Sequence, residues 1–135
     1  MLRTRLLYVL AGLIALVVVL HGVAVAYSLY WRLSWFDNFP HFFGGMFVSL
    51  LCVWLWFFSG YMGTHSLPRP RTLFLITVLC ALAIGVGWEV FERLIGLTWS
   101  PEGYWFDTRS DVLADVIGGV VVGLFLLFST RRFSS

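Results

Sequence analysis

Residues 72–88 form a stretch of 17 residues without one charged side chain, inside one of four long apolar runs in a chain of 135 residues. A helix crosses a hydrocarbon core of roughly 30 Å with about 20 mostly apolar residues. Runs of that kind at residues 6–30, 41–62, 72–95 and 111–128 predict an all-α membrane protein, a bundle of four transmembrane helices in a single transmembrane domain. Composition agrees, since 60% hydrophobic against 12% charged residues lies far from the balance of soluble domains. The first run also resembles a signal peptide, with Arg3 and Arg5 ahead of it and Ala24-Val25-Ala26 as a cleavage-like site. Its apolar character continues through Tyr27 to Trp31, so a retained helix is expected. Cys52 and Cys80 each fall inside an apolar run and are expected as reduced structural thiols.

Arginine placement orients the helices, because cytoplasmic loops accumulate positive charge. There is no lysine, and the nine basic residues are all arginine. Arg3, Arg5, Arg69, Arg71, Arg131 and Arg132 lie on one side of the runs, while only Arg32 and Arg109 lie in the loops of the other. Both termini and the middle loop are therefore expected in the cytoplasm of a multi-pass protein of the inner cell membrane. The expected partner is the lipid bilayer and not nucleic acid. Tyr30, Trp31, Trp35, Trp99, Tyr104 and Trp105 gather at the two outer loops, the headgroup level that amphipathic rings favour. Pro40 suits the first turn of the second helix, Ser100-Pro101-Glu102-Gly103 reads as a turn, and SLPRPR at residues 66–71 as a stiff link.

In that orientation all seven carboxylates, Asp37, Glu89, Glu92, Glu102, Asp107, Asp111 and Asp115, fall in the outer half beside three arginines, an excess of four negative charges. Insertion rules account for the inner positives but not for the outer negatives, since acids contribute little to orientation. An ionisable side chain at mid-bilayer costs roughly 2.5 to 3.5 kcal/mol on insertion scales, which makes such residues functional suspects. At 1.5 Å per residue, Glu89 and Asp115 come about 6 Å inside the outer boundary, with His21 near the same level and His41 opening the second helix. Each helix is thus expected to offer an ionisable group to one layer. Helical spacing places Gly85, Glu89 and Glu92 on one face, and Asp111, Asp115, Gly118 and Gly119 on another. With Gly44, Gly45, Gly87 and Gly123 these glycines permit close helix approach. A glycine waist is expected directly below an acidic chamber, with glycine-lined faces also available for a homo-oligomer.

Simpler readings compete at each position. Glu89 and Arg93, four residues apart, suit an ion pair. Asp111 suits the helix dipole, Asp107 or Ser110 a cap, Glu102 a solvated loop, and His21 a helix-packing hydrogen bond. Three arginines still cannot neutralise seven acids. The remainder must be protonated by burial, share a cation, or open onto water and await a ligand. Carboxylates with an imidazole suit Zn²⁺, Mn²⁺ or iron, and oxygen-only subsets suit Mg²⁺ or Ca²⁺. The expected ligand set is His41, Glu89, Glu92, Asp111 and Asp115, with His21, Asp37, Asp107 and Arg93 secondary. The Glu-x-x-His pair of di-metal carboxylate bundles is absent, and Pro40 disfavours a helical Phe39, which argues against Asp37 and His41 sharing a face.

Three blocks, DNFPHFFGG at residues 37–45, WEVFE at 88–92 and FDTRSDVLADVIGG at 106–119, resemble in order and spacing the VanZ-like membrane proteins and, more closely, the YjdF-type inner-membrane proteins. This chain departs from them in being short, with four spans. The resemblance implies Asp37, His41, Glu89, Glu92, Asp107, Asp111 and Asp115 as the polar positions and a place in the cell envelope, but no reaction. The expected function is a cation-dependent or amine-binding accessory protein of the envelope, its site on the extracytoplasmic side facing a lipid or envelope-precursor ligand. The alternative is a metal-assisted membrane enzyme acting on a lipid or lipid-linked substrate, with Glu89 or Asp115 as general base. An ion pathway is disfavoured, because the inner halves of the helices carry no charge to relay.

Overall fold

The computed structural model describes residues 2–62, 68–97 and 103–131. Among the described residues 88% are helical and none is in a strand. Helix α1 spans Leu2–Ala26, α2 Leu29–Arg32, α3 Asn38–Phe57, α4 Pro70–Leu94 and α5 Tyr104–Arg131, with a 3₁₀ turn at Ser34–Asp37 leading into α3. Four helical segments are long and apolar enough to cross a membrane: Arg3–Ala26, Ser34–Phe57, Pro70–Leu94 and Tyr104–Phe128. The chain is a multi-pass membrane protein. Trp99, Glu102, the first part of SLPRPR and most of the expected turn at residues 100–103 lie outside the described residues.

Helix ends depart from the hydropathy boundaries for local reasons. Ser28 has φ 55°, a left-handed conformation that costs an L-residue roughly 1–2 kcal/mol. It breaks the first run, so Tyr30 and Trp31 belong to the short α2 and not to α1. The 3₁₀ turn continues into α3, so His41 lies inside a helical path instead of opening it. Pro40 stands in the first turn, where an N–H has no helical acceptor to lose, and Phe39 is helical. Pro70 is tolerated at the start of α4 for the same reason. Helix α5 begins at Tyr104, ahead of the expected residue 111. Ser110 is therefore internal and its hydroxyl donates to the Asp107 carbonyl at 2.9 Å instead of capping. Asp107 lies in the first turn, where a carboxylate suits the dipole.

Helices α3, α4 and α5 pack mutually, and α1 rests on α3 alone to any comparable extent. Leu6, Leu10 and Leu13 share one face of α1 and join Leu50, Val53 and Trp54 of α3 in a core completed by Leu73, Val122 and Leu126. Arg3 secures the start of α1 by donating from Nη2 to the Ser59 carbonyl at 2.9 Å. Contact among α3, α4 and α5 depends on small residues. A Cβ on Gly119 would lie 2.7 Å from Ala81 Cβ, one on Gly123 2.6 Å from Thr77 Oγ1, and one on Gly118 would overlap the Phe42 carbonyl. Ser49 Oγ donates to the Thr77 carbonyl at 2.8 Å, a side-chain to backbone link between α3 and α4. The faces of Gly45, Gly85, Gly118, Gly119 and Gly123 are filled by the chain's own helices, while Gly12, Gly22 and Gly87 meet nothing within 4 Å. Cys52 and Cys80 are free and half-buried.

Candidate functional site

Three helices each bury an ionisable side chain at one level. His41 on α3 is 8% exposed, Glu89 on α4 5%, and Asp111 and Asp115 on α5 2% and 6%. Asp37, Glu92 and Asp107 are half-buried around them.

Asp115 occupies the convergence of α3, α4 and α5. A Cβ on Gly45 would overlap the Asp115 carbonyl, and one on Gly85 would lie 2.6 Å from Asp115 Oδ2. Only a missing side chain on both neighbours lets the carboxylate enter the helix interface. The glycines thus begin around Asp115 and continue inward through Gly118, Gly119 and Gly123, rather than lying wholly below the acids as expected. His41 Nδ1–H donates to Asp115 Oδ2 at 3.1 Å.

That bond turns the other ring nitrogen outward. His41 Nε2 stands 3.9 Å from Asp37 Oδ1, at i and i+4 of one helical path. Pro40 therefore does not separate the two faces, contrary to expectation. Donor atoms of Asp37, His41 and Asp111 all lie within 4.8 Å of one another, and Asp111 Oδ1 is buried with no hydrogen-bond partner. A buried polar atom left in that condition costs about 1–3 kcal/mol unless something else satisfies it. Tetrahedral donors about 2.0–2.2 Å from a zinc ion lie about 3.3–3.6 Å apart, so closing a group spread over up to 4.8 Å on an ion draws its widest-set donors in by about 1 Å. An imidazole held by a carboxylate through one nitrogen and presenting the other is the arrangement that orients a metal-binding histidine.

The remaining expected residues are placed differently. Glu89 is buried with Oε1 unpartnered, as is Thr108 Oγ1, yet Glu89 is not among the three close donors. Glu92 points to the rim and accepts from Trp88 Nε1 at 2.9 Å. The close donor group overlaps the expected ligand set at His41 and Asp111; it adds Asp37, expected as secondary, and does not include Glu89, Glu92 or Asp115. Arg93 makes no ion pair with Glu89; its guanidinium lies 4.5 Å from the Tyr104 ring centroid and 5.7 Å from that of Trp105, a cation–π arrangement. His21 is exposed and hydrogen-bonded through Nδ1 to the Tyr30 hydroxyl at 2.8 Å, so α1 contributes no buried wall to the layer. Burial, followed by the charges of Asp37 and Glu92, pushes the Tyr30 phenol above its ordinary value of 10.0. Tyr30 and Thr108 are the residues that sequence reasoning missed. Thr108 would have been found by starting α5 at Tyr104, which sets it one turn before Asp111 on the same face.

Residues 1–132 match the family described as "Predicted membrane protein (DUF2238)". The chain belongs to this family. The YjdF-type likeness agrees with membership, because those proteins are a DUF2238 family, whereas the match lends nothing to the VanZ-like likeness. No curated protein and no solved structure matches the chain.

Proposed function

We propose that this DUF2238 member is a single transmembrane unit that holds a divalent transition-metal ion in the outer half of the bilayer and serves the cell envelope as a VanZ-like accessory protein. The observation that supports the metal is the group of Asp37, His41 and Asp111 donors within 4.8 Å, with Asp111 Oδ1 buried and without a hydrogen-bond partner. One imidazole nitrogen with two carboxylates suits Zn²⁺ or Mn²⁺ better than Mg²⁺ or Ca²⁺, which take oxygen ligands. Asp115 acts on the ion through His41, whose ring it orients. Arginine distribution supports both termini in the cytoplasm, which sets the site toward the extracytoplasmic side.

Detergent-purified protein is equilibrated with zinc, desalted and analysed for metal. About one zinc per chain is expected, lost in Asp111→Asn and His41→Gln and kept in Glu102→Gln. Metal-free wild type, with a melting temperature indifferent to both zinc and EDTA, overturns the reading.

One observation favours a metal-assisted enzyme as the second reading. Glu89 Oε1 is buried without a partner, the condition of a carboxylate available as general base toward an ion-bound water. Glu89→Gln would then keep its zinc and lose turnover of a lipid ester or phosphodiester. Zinc-loaded wild type with no such turnover leaves the accessory role.

A further inference from the structure

The seam between α3 and α5 carries a second feature on its outer side. A groove of about 470 Å³ is walled by Trp35, Phe39, Phe42, Leu113, Ala114 and Ile117, with Asn38 and Ser110 as its polar residues. Its volume falls in the range of roughly 300–1,000 Å³ typical of ligand sites. Groove and donor group alternate along the same two helices. Asn38 follows Asp37, Phe42 follows His41, Ser110 precedes Asp111 and Ala114 precedes Asp115, so the two differ by about one residue's rotation, roughly 100°. The polar residues come from the first turn of α3 and the second of α5, which is also the end that holds Asp37. Asp37 is the accessible donor, its side chain 32% exposed against 9% for His41.

We propose that the groove holds one acyl chain of a membrane lipid whose headgroup bears a primary ammonium, and that this ammonium reaches Asp37 at the mouth. The inference rests on the carboxylate cluster of the proposed cation site, but not on a metal being bound there. Both flanking segments lie within membrane-crossing helices, so hydrocarbon is the medium along the groove and an acyl chain its natural occupant. Charge complementarity selects the headgroup. Asp37 and Asp111 stand together with His41 at this end. An anionic headgroup is repelled there, while an ammonium brings three donors to carboxylates that only accept. The buried, unpartnered Asp111 Oδ1 is a second acceptor behind Asp37.

The test uses the full chain in EDTA, in mixed micelles with equal amounts of dioleoyl phosphatidylethanolamine, phosphatidylcholine and phosphatidylglycerol, with retained lipid counted by native mass spectrometry. Retention of the ethanolamine lipid is expected to exceed that of the glycerol lipid about fivefold, the scale of one charge contact at a membrane surface, with the choline lipid between. Ile117→Trp fills the groove at a position 46% exposed, and both it and Asp37→Asn should bring the ratio close to one-to-one. Ile117→Trp should leave zinc stoichiometry unchanged, since Ile117 is not a donor. Equal retention of the three lipids, or a preference that survives Ile117→Trp, overturns the proposal. So does displacement of the retained lipid by soluble phosphoethanolamine, which has the headgroup without the chain. Zinc binding lost while the lipid preference persists overturns the metal reading alone, and the reverse result overturns this one alone.

Discussion

Asp115 is held from three sides, by His41 through a 3.1 Å hydrogen bond and by the bare backbones of Gly45 and Gly85. A carboxylate pinned in that way cannot swing aside to admit a methyl group. Gly85→Ala is therefore expected to lower stability by about 1–3 kcal/mol through overpacking, seen as a lower melting temperature in detergent. Gly45→Ala, which meets backbone instead of a side chain, should fare no better. Gly87→Ala is the control: nothing lies within 4 Å of its added Cβ, and replacing a helical glycine by alanine gains up to about 1 kcal/mol. Equal effects at positions 85 and 87 would show that Asp115 is not confined. Tyr30 gives a pH prediction. Its phenol is raised above 10.0, so the folded state keeps the proton more tightly than the unfolded chain. The stability it contributes is intact below the ordinary phenol value and is lost as pH rises from there toward the raised one. Tyr30→Phe should remove that alkaline decline, and the wild-type minus Tyr30→Phe absorbance difference should show no tyrosinate growing in near pH 10.

At the scale of elements, hydropathy located every span and misjudged most ends. Apolar runs report where hydrocarbon is, and helical hydrogen bonding continues past them wherever the backbone permits. The polar residues 104–110 are helical because α5 extends beyond its apolar stretch, and residues 34–40 because a proline in a first turn costs no bond. Ser28 is the opposite case, a break inside an unbroken apolar run. Ser28→Gly should stabilise the α1–α2 junction by about 1 kcal/mol, since glycine adopts the left-handed region without strain, and Ser28→Val should destabilise it. If thermal unfolding ranks valine above glycine, the left-handed turn is not what ends α1. Of the two loops, the one after α1 also orders Tyr30, whose hydroxyl meets His21; this explains why a histidine legible as a candidate ligand serves a surface contact instead.

For the whole molecule, orientation is the property on which an outer-leaflet site depends. It is tested in cells carrying Cys52→Ser and Cys80→Ser, by adding Leu97→Cys or Tyr61→Cys at positions 64% and 85% exposed. A membrane-impermeant maleimide should label Leu97→Cys in intact cells and Tyr61→Cys only after permeabilisation. The reverse pattern would move the carboxylate layer to the inner leaflet and remove the extracytoplasmic ligands from consideration. Four membrane-crossing helices, and the concentration of acids toward one end of them, followed from sequence alone, because transfer to hydrocarbon acts residue by residue and needs no knowledge of neighbours. Which acids meet was decided only by tertiary packing. The choice of Asp37 over Glu89 and Glu92 as the partner of His41 and Asp111, the aromatic seat of Arg93, and the peripheral place of α1 all depend on how helices rotate about one another. That rotation is set where Gly45 and Gly118 let backbones touch and Gly85 admits the Asp115 side chain, and a glycine in a sequence does not name the helix that will fill the space it leaves.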